Sequence, residues 1–88
     1  MIKIAKVEWC GGYRLRVSFS DGTAGEHDFA SLRGERGPMV EPLHDPAFFG
    51  KVFVEDGALV WPNGFDAAPG WLYREMKAKS ELRASAVA

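Results

Sequence analysis

The residues with the most chemistry to offer are two adjacent histidine and aspartate pairs, His27-Asp28 and His44-Asp45. Imidazole and carboxylate are ordinary ligands for a divalent metal, and a phosphohydrolase could be built around them. The spacing works against that chemistry. Neighbouring side chains on a strand point to opposite faces, so His27 and Asp28 do not chelate one ion from regular strand geometry. Asp45, followed by Pro46, is placed instead to cap a short helix. An enzyme would have to gather groups that the sequence scatters, such as His27, His44 and Asp66, into one concave site. Cys10 stands beside no base or helix start that would activate a thiol, and it reads as a small hydrophobe. Gly34, Arg36 and Gly37 lack the lysine-serine ending and the strand-to-helix setting of a phosphate loop, which leaves a connector. These residues predict a chain without catalysis, metal or cofactor.

Arg14 and Arg16, two apart, share one strand face and are the candidates for contact with nucleic acid. Lys3 or Lys6 would lie alongside, and Trp9 or Tyr13 would offer stacking. A solvated sheet face has the same composition. The overall charge gives no support, because 11 basic residues meet 12 acidic ones for a formal net charge of -1. There is no sequence-independent pull toward phosphate backbones.

The elements that position these groups must come from a short chain. Its 88 residues make one domain with a small core, since chains of this size bury only roughly 60 to 65 % of their unfolded surface. A hydrophobic fraction of 47 % with 26 % charged residues is that of an ordinary globular protein. Cys10 is the only cysteine, which excludes an internal disulfide and fits a reducing compartment. No apolar run reads as a signal peptide or a membrane span, so a cytoplasmic, membrane-free protein is the expectation.

In chain order, Ile2 to Trp9 is rich in β-formers, but its alternation changes phase, which predicts a bulge near Ala5 and Lys6. Gly11-Gly12 turns the chain. Tyr13, Leu15, Val17 and Phe19 then alternate strictly with Arg14, Arg16, Ser18 and Ser20 in the clearest strand. Asp21-Gly22 predicts a hairpin into a weak strand, Thr23 to Phe29, placed at a sheet edge where Glu26 and Asp28 discourage unwanted pairing. A helical turn follows over Phe29 to Leu32. Met39 to Leu43 is expected to be extended, because Pro42 restricts Glu41. Asp45-Pro46 opens a short helix anchored by Phe48-Phe49, and Asp56-Gly57 closes a second hairpin.

The densest signals lie from Leu59 to Tyr73. Val60 and Trp61 suit a strand that Pro62 closes, Asn63-Gly64 turns the chain, and Asp66 is a candidate cap for a helix that starts at Pro69. Leu72 and Met76 should face the sheet. Trp71, at the helix start, is either an interface anchor or a core residue. The architecture expected is α+β: a small antiparallel sheet of hairpins, a short helix after the third strand and a C-terminal helix. A single domain over residues 1–79 and a frayed or partner-ordered tail over 80–88 complete it.

These residues resemble a known family, the bacterial domain of unknown function 2442, in its small single-domain form. The resemblance runs from Val7 to Tyr73. It rests on Tyr13 through Phe19 with Asp21-Gly22, then on Gly37, Pro42-Leu43, Asp45, Phe49 and Val52. The most specific part is Trp61-Pro62-Asn63-Gly64 with Asp66, Pro69 and Leu72-Tyr73. Gly70-Trp71 departs from the polar or acidic residues usual after that proline. The resemblance implies hairpins and short helices and no established catalytic residue. It also implies, for single-domain relatives, a small basic partner in an arrangement that looks like a toxin-antitoxin pair.

The function expected is a non-enzymatic protein-interaction module, an antitoxin-like or regulatory partner of a small basic protein. Glu26, Asp28 and Trp71 are the candidate partner-binding residues, and the same edge could close a homodimer. The alternative is a nucleic-acid-associated regulatory module that works through Arg14 and Arg16.

Overall fold

Strict alternation makes Arg14–Phe19 (β2) the central strand of the first sheet: Leu15, Val17 and Phe19 are buried while Arg14 and Arg16 face out. Ile4–Trp9 (β1) pairs antiparallel with it, and the register shifts between Ile4 and Lys6, where the change of phase predicts a bulge. The shift lets Ile4 and Val7 both pack on the core side. Asp21-Gly22 turns the chain into Thr23–Asp28 (β3), with Gly22 at φ +89 and the Asp21 carboxylate accepting from Thr23 N–H. The computed structural model describes residues 1–84. Within them the fold is α+β, as expected.

Two 3₁₀ turns, Ala30–Gly34 and Glu41–His44, carry the chain away from β3. The second corrects the expectation of an extended Met39 to Leu43. Pro42 sits in the first turn of a helix, where its missing N–H has no intrahelical partner to lose. Asp45 caps Pro46–Phe49 (α1) by accepting from Ala47 N–H at 3.1 Å, which places Phe49 in the core.

Phe53–Glu55 (β4) and Ala58–Val60 (β5) form the second hairpin. Asp56 and Gly57 both take positive φ, as a tight two-residue reversal requires. Asp66–Ala67 (β6) completes this second sheet. The two sheets meet where Ile4 N–H donates to Gly57 C=O at 2.8 Å.

Between β5 and β6, Trp61 is almost wholly buried, and its indole N–H donates to Phe49 C=O at 2.8 Å. Gly64 N–H returns to Trp61 C=O, and Asn63 bonds both Phe65 N–H and Met39 C=O. The Trp-Pro-Asn-Gly run thus joins the second sheet, α1 and the connecting loop.

Pro69–Ala78 (α2) buries Leu72 and Met76. Tyr73 packs edge-on against Phe19, with ring centroids 5.1 Å apart, so the helix lies under the first sheet. Asp66 does not cap it. That residue pairs with Val60 in β6, and the N-cap is Ala68 with no side-chain bond. The intervening pairing holds Asp66 back from the free amides, and Pro69 starts the helix without it.

Of the tail over residues 80–88, expected to be frayed or partner-ordered, the described part runs through Ala84. Ser80 takes a left-handed φ of +57, Glu81 N–H closes on Met76 C=O, and Arg83–Ala84 (β7) pairs antiparallel with β3. The rest of that expectation, residues 85–88, lies outside the described residues.

Candidate functional site

The outer face of the first sheet collects the charged residues singled out in the sequence. Alternation puts Lys6 and Glu8 of β1, Arg14 and Arg16 of β2, and Glu26 and Asp28 of β3 on one side, away from the core. Arg14 lies opposite Asp28 and Arg16 opposite Glu26. Arg14 reaches both acids, at 3.3 Å to Glu26 and 3.8 Å to Asp28. All three side chains are about half exposed, so each pair is worth only about 0 to 1 kcal/mol. Arg16 stands between Glu8 on one neighbouring strand and Glu26 on the other.

The backbone of β3 supplies the second feature. Phe29 N–H donates to Tyr13 C=O at 2.8 Å. The alternation of an antiparallel ladder then turns the peptide groups of Asp28, Glu26 and Ala24 away from β2. Ala24 meets Arg83 of β7. Among the described residues, no strand pairs with Glu26 to Asp28 on that side. The edge expected at β3 is therefore half closed by its own chain and half open. A groove of about 380 Å³ lies at the boundary, lined by Arg16, Ala24, Gly25, Glu26, Ser80, Glu81 and Arg83.

Under this groove His27 is buried, with Nδ1–H donating to the Glu81 carboxylate at 2.7 Å. It also packs edge-on to Phe29. Gly25 lets the Glu81 backbone pass, because a Cβ there would stand 2.0 Å from the Glu81 carbonyl oxygen. His44 is used differently: its Nε2 lies 2.9 Å and 3.1 Å from the carbonyls of Leu32 and Glu35, and its own C=O accepts from the Tyr13 hydroxyl. Each histidine thus ties down a separate loop or strand. Among the described residues, no group of three or more His, Cys, Asp or Glu is arranged to hold a metal ion.

The structure brings Glu26, Asp28, Arg14 and Arg16 together and leaves Trp71 elsewhere. Trp71 is exposed at 47 % on α2 and does not line the groove. Trp61, Pro62, Asn63, Gly64, Pro69 and Tyr73 serve the fold. Tyr73 ends in a hydroxyl that donates to Asp21 at 2.7 Å, which fastens α2 to the first hairpin. The Thr23 hydroxyl first, and then Tyr73, hold the Asp21 carboxyl below its ordinary range, while Asp21 raises the Tyr73 phenol. Sequence reasoning missed Gly25, Glu81 and Arg83. A glycine inside a strand was the one available signal, since it marks a close backbone approach.

The model of a family described as "Protein of unknown function (DUF2442)" matches residues 4–78, and the chain belongs to that family. No curated protein and no solved structure matches it. No helix among the described residues is long and apolar enough to cross a membrane.

Proposed function

We propose that this chain is a non-enzymatic protein-interaction module that takes an extended segment of a small basic protein against the open half of β3. The observation that carries the reading is the outward edge at Glu26 to Asp28, which no strand pairs among the described residues, with its two half-exposed carboxylates. Main-chain groups there can accept a strand, and side-chain charge selects its sign. Arg14 holds those carboxylates loosely enough for a partner's guanidinium or ammonium group to replace it. An antitoxin-like or regulatory role is the biological form we propose for it.

The nucleic-acid alternative is less well supported. It needs Arg14 and Arg16 free for phosphate, and both lie among carboxylates on a face of mixed sign.

The test is recovery of bound protein from the native host by the tagged chain, beside a Glu26→Gln/Asp28→Asn variant matched for folding by circular dichroism. A small basic protein held in fixed stoichiometry by the parent and lost from the variant supports the module. Equal retention by both, or nothing retained by the parent, overturns it.

A further inference from the structure

The segment Ser80 to Ala84 closes half of the β3 edge, and the way it is attached differs from the rest of the fold. Leading into it, Ser80 takes a left-handed turn and Glu81 N–H closes the helix on Met76 C=O at 2.9 Å. The chain then crosses under Gly25 with no room for a side chain. It reaches β3 through the Glu81–His27 hydrogen bond, through Leu82 packed against the core, and through two paired residues. Arg83 donates back to the carbonyls of Ser80 and Leu82, at 2.9 Å and 3.0 Å. The segment is thus braced within itself and touches the sheet at few points. Both residues of β7 are exposed, while the strand they cover runs for six residues.

We infer that Ser80 to Ala84 form a displaceable strap that sets how much of the β3 edge is open to another chain. With the strap seated, Glu26 to Asp28 is the part of the β3 edge left unpaired among the described residues; with it lifted, the whole of Thr23 to Asp28 is left so. Elements held by a short ladder and without a fully buried residue open at a lower free energy than the core, and this strap has a two-residue ladder and no fully buried residue. Lifting it also takes Glu81 from His27, so the buried imidazole loses its partner and the strap tends to reclose. The inference rests on the proposed use of the β3 edge, and its physical content is measurable without any partner.

The experiment is amide hydrogen exchange of the purified chain, read residue by residue by NMR. The Ala24 amide, turned toward β7, is expected to exchange at least about tenfold faster than the amides of Leu15 and Val17, because it opens with the strap. Two variants bracket the result. Thr23→Cys/Ala84→Cys in a Cys10→Ser background joins residues that lie opposite each other, and oxidation is expected to slow Ala24 to the rate of β2. Gly25→Ala pushes against the Glu81 carbonyl and is expected to speed Ala24 while Leu15 and Val17 keep their rates. Should Gly25→Ala fail to fold, the cross-linked pair still decides the matter. An Ala24 amide that exchanges only with global unfolding, at the rate of Val17 and unchanged by the cross-link, overturns the strap. A failed partner capture leaves this measurement untouched, so the two ideas fall separately.

Discussion

Replacing Trp61 by phenylalanine tests whether the Trp-Pro-Asn-Gly run is a structural joint. Trp61 is 1 % exposed, and its indole N–H bonds the Phe49 carbonyl at 2.8 Å. Phenylalanine keeps one six-membered ring and removes the N–H with two ring carbons. At about 0.8 kcal/mol for each buried carbon group, the lost burial costs about 1.5 kcal/mol before any cavity. The Phe49 carbonyl keeps a second, longer bond from Val52 N–H at 3.3 Å. Its loss therefore belongs at the low end, about 1 kcal/mol. The sum is about 2 to 3 kcal/mol, out of roughly 4 to 13 kcal/mol for 88 residues. It should lower the melting midpoint by roughly 10 to 20 °C. Urea unfolding followed by circular dichroism is the assay, since the substitution also removes the buried fluorophore and leaves the exposed Trp9 and Trp71. Trp71→Phe is the control, expected within about 0.5 kcal/mol of the parent. A Trp61→Phe midpoint as close to the parent as that control would refute the joint.

The Asp21–Tyr73 bond predicts a stability loss at both ends of the pH scale. The Asp21 carboxyl is depressed on folding, so its contribution is present above the ordinary 3.8 and is lost as pH falls through the lower folded value. The Tyr73 phenol is raised, so its share is present below the ordinary 10.0 and is lost as pH climbs through the folded value. Asp21→Asn should flatten both limbs in a pH series of urea midpoints, and an unchanged profile would contradict the bond. Arg14→Gln separates the two functional readings by sign. It unmasks Glu26 and Asp28 at a stability change under about 2 kcal/mol for the two pairs, so a basic protein partner should bind more tightly. Nucleic acid contacted through Arg14 should bind more weakly, with a shallower salt dependence, in a titration of the same variant.

Much of the frame was legible because local rules and tertiary packing agree in it. The strict alternation of Tyr13 to Ser20, the change of phase at Ala5-Lys6, Asp21-Gly22, Asp56-Gly57 and Asp45-Pro46 each encode one backbone geometry, and the fold uses each as read. The misreadings share a cause. Asp66 looks like a cap and Met39 to Leu43 looks extended because neighbours along the chain suggest it, yet pairing with Val60 and a 3₁₀ turn after Gly37 prevail. The segment from Ser80 to Ala84 carries the least local signal. Leu82 is its one large apolar residue within the described range, and what orders it is a glycine and a histidine more than fifty residues earlier. No window along the sequence contains both halves of that contact.

That non-local contact also shapes the candidate site. Glu26 and Asp28 read from sequence as free acidic groups on a bare edge, a simple lure for a basic chain. In the fold Arg14 shares both charges, and β7 covers the neighbouring backbone. A basic partner of the kind proposed would have to displace one weak ion-pair set, and in the strap proposal it would gain more edge by lifting Ser80 to Ala84. Long-range attraction is modest on such a mixed face, so discrimination has to come from short-range fit: strand pairing along β3 together with a cation that reaches the two carboxylates. A partner with charge but no extendable segment would gain little here, and a neutral strand would leave both acids to Arg14.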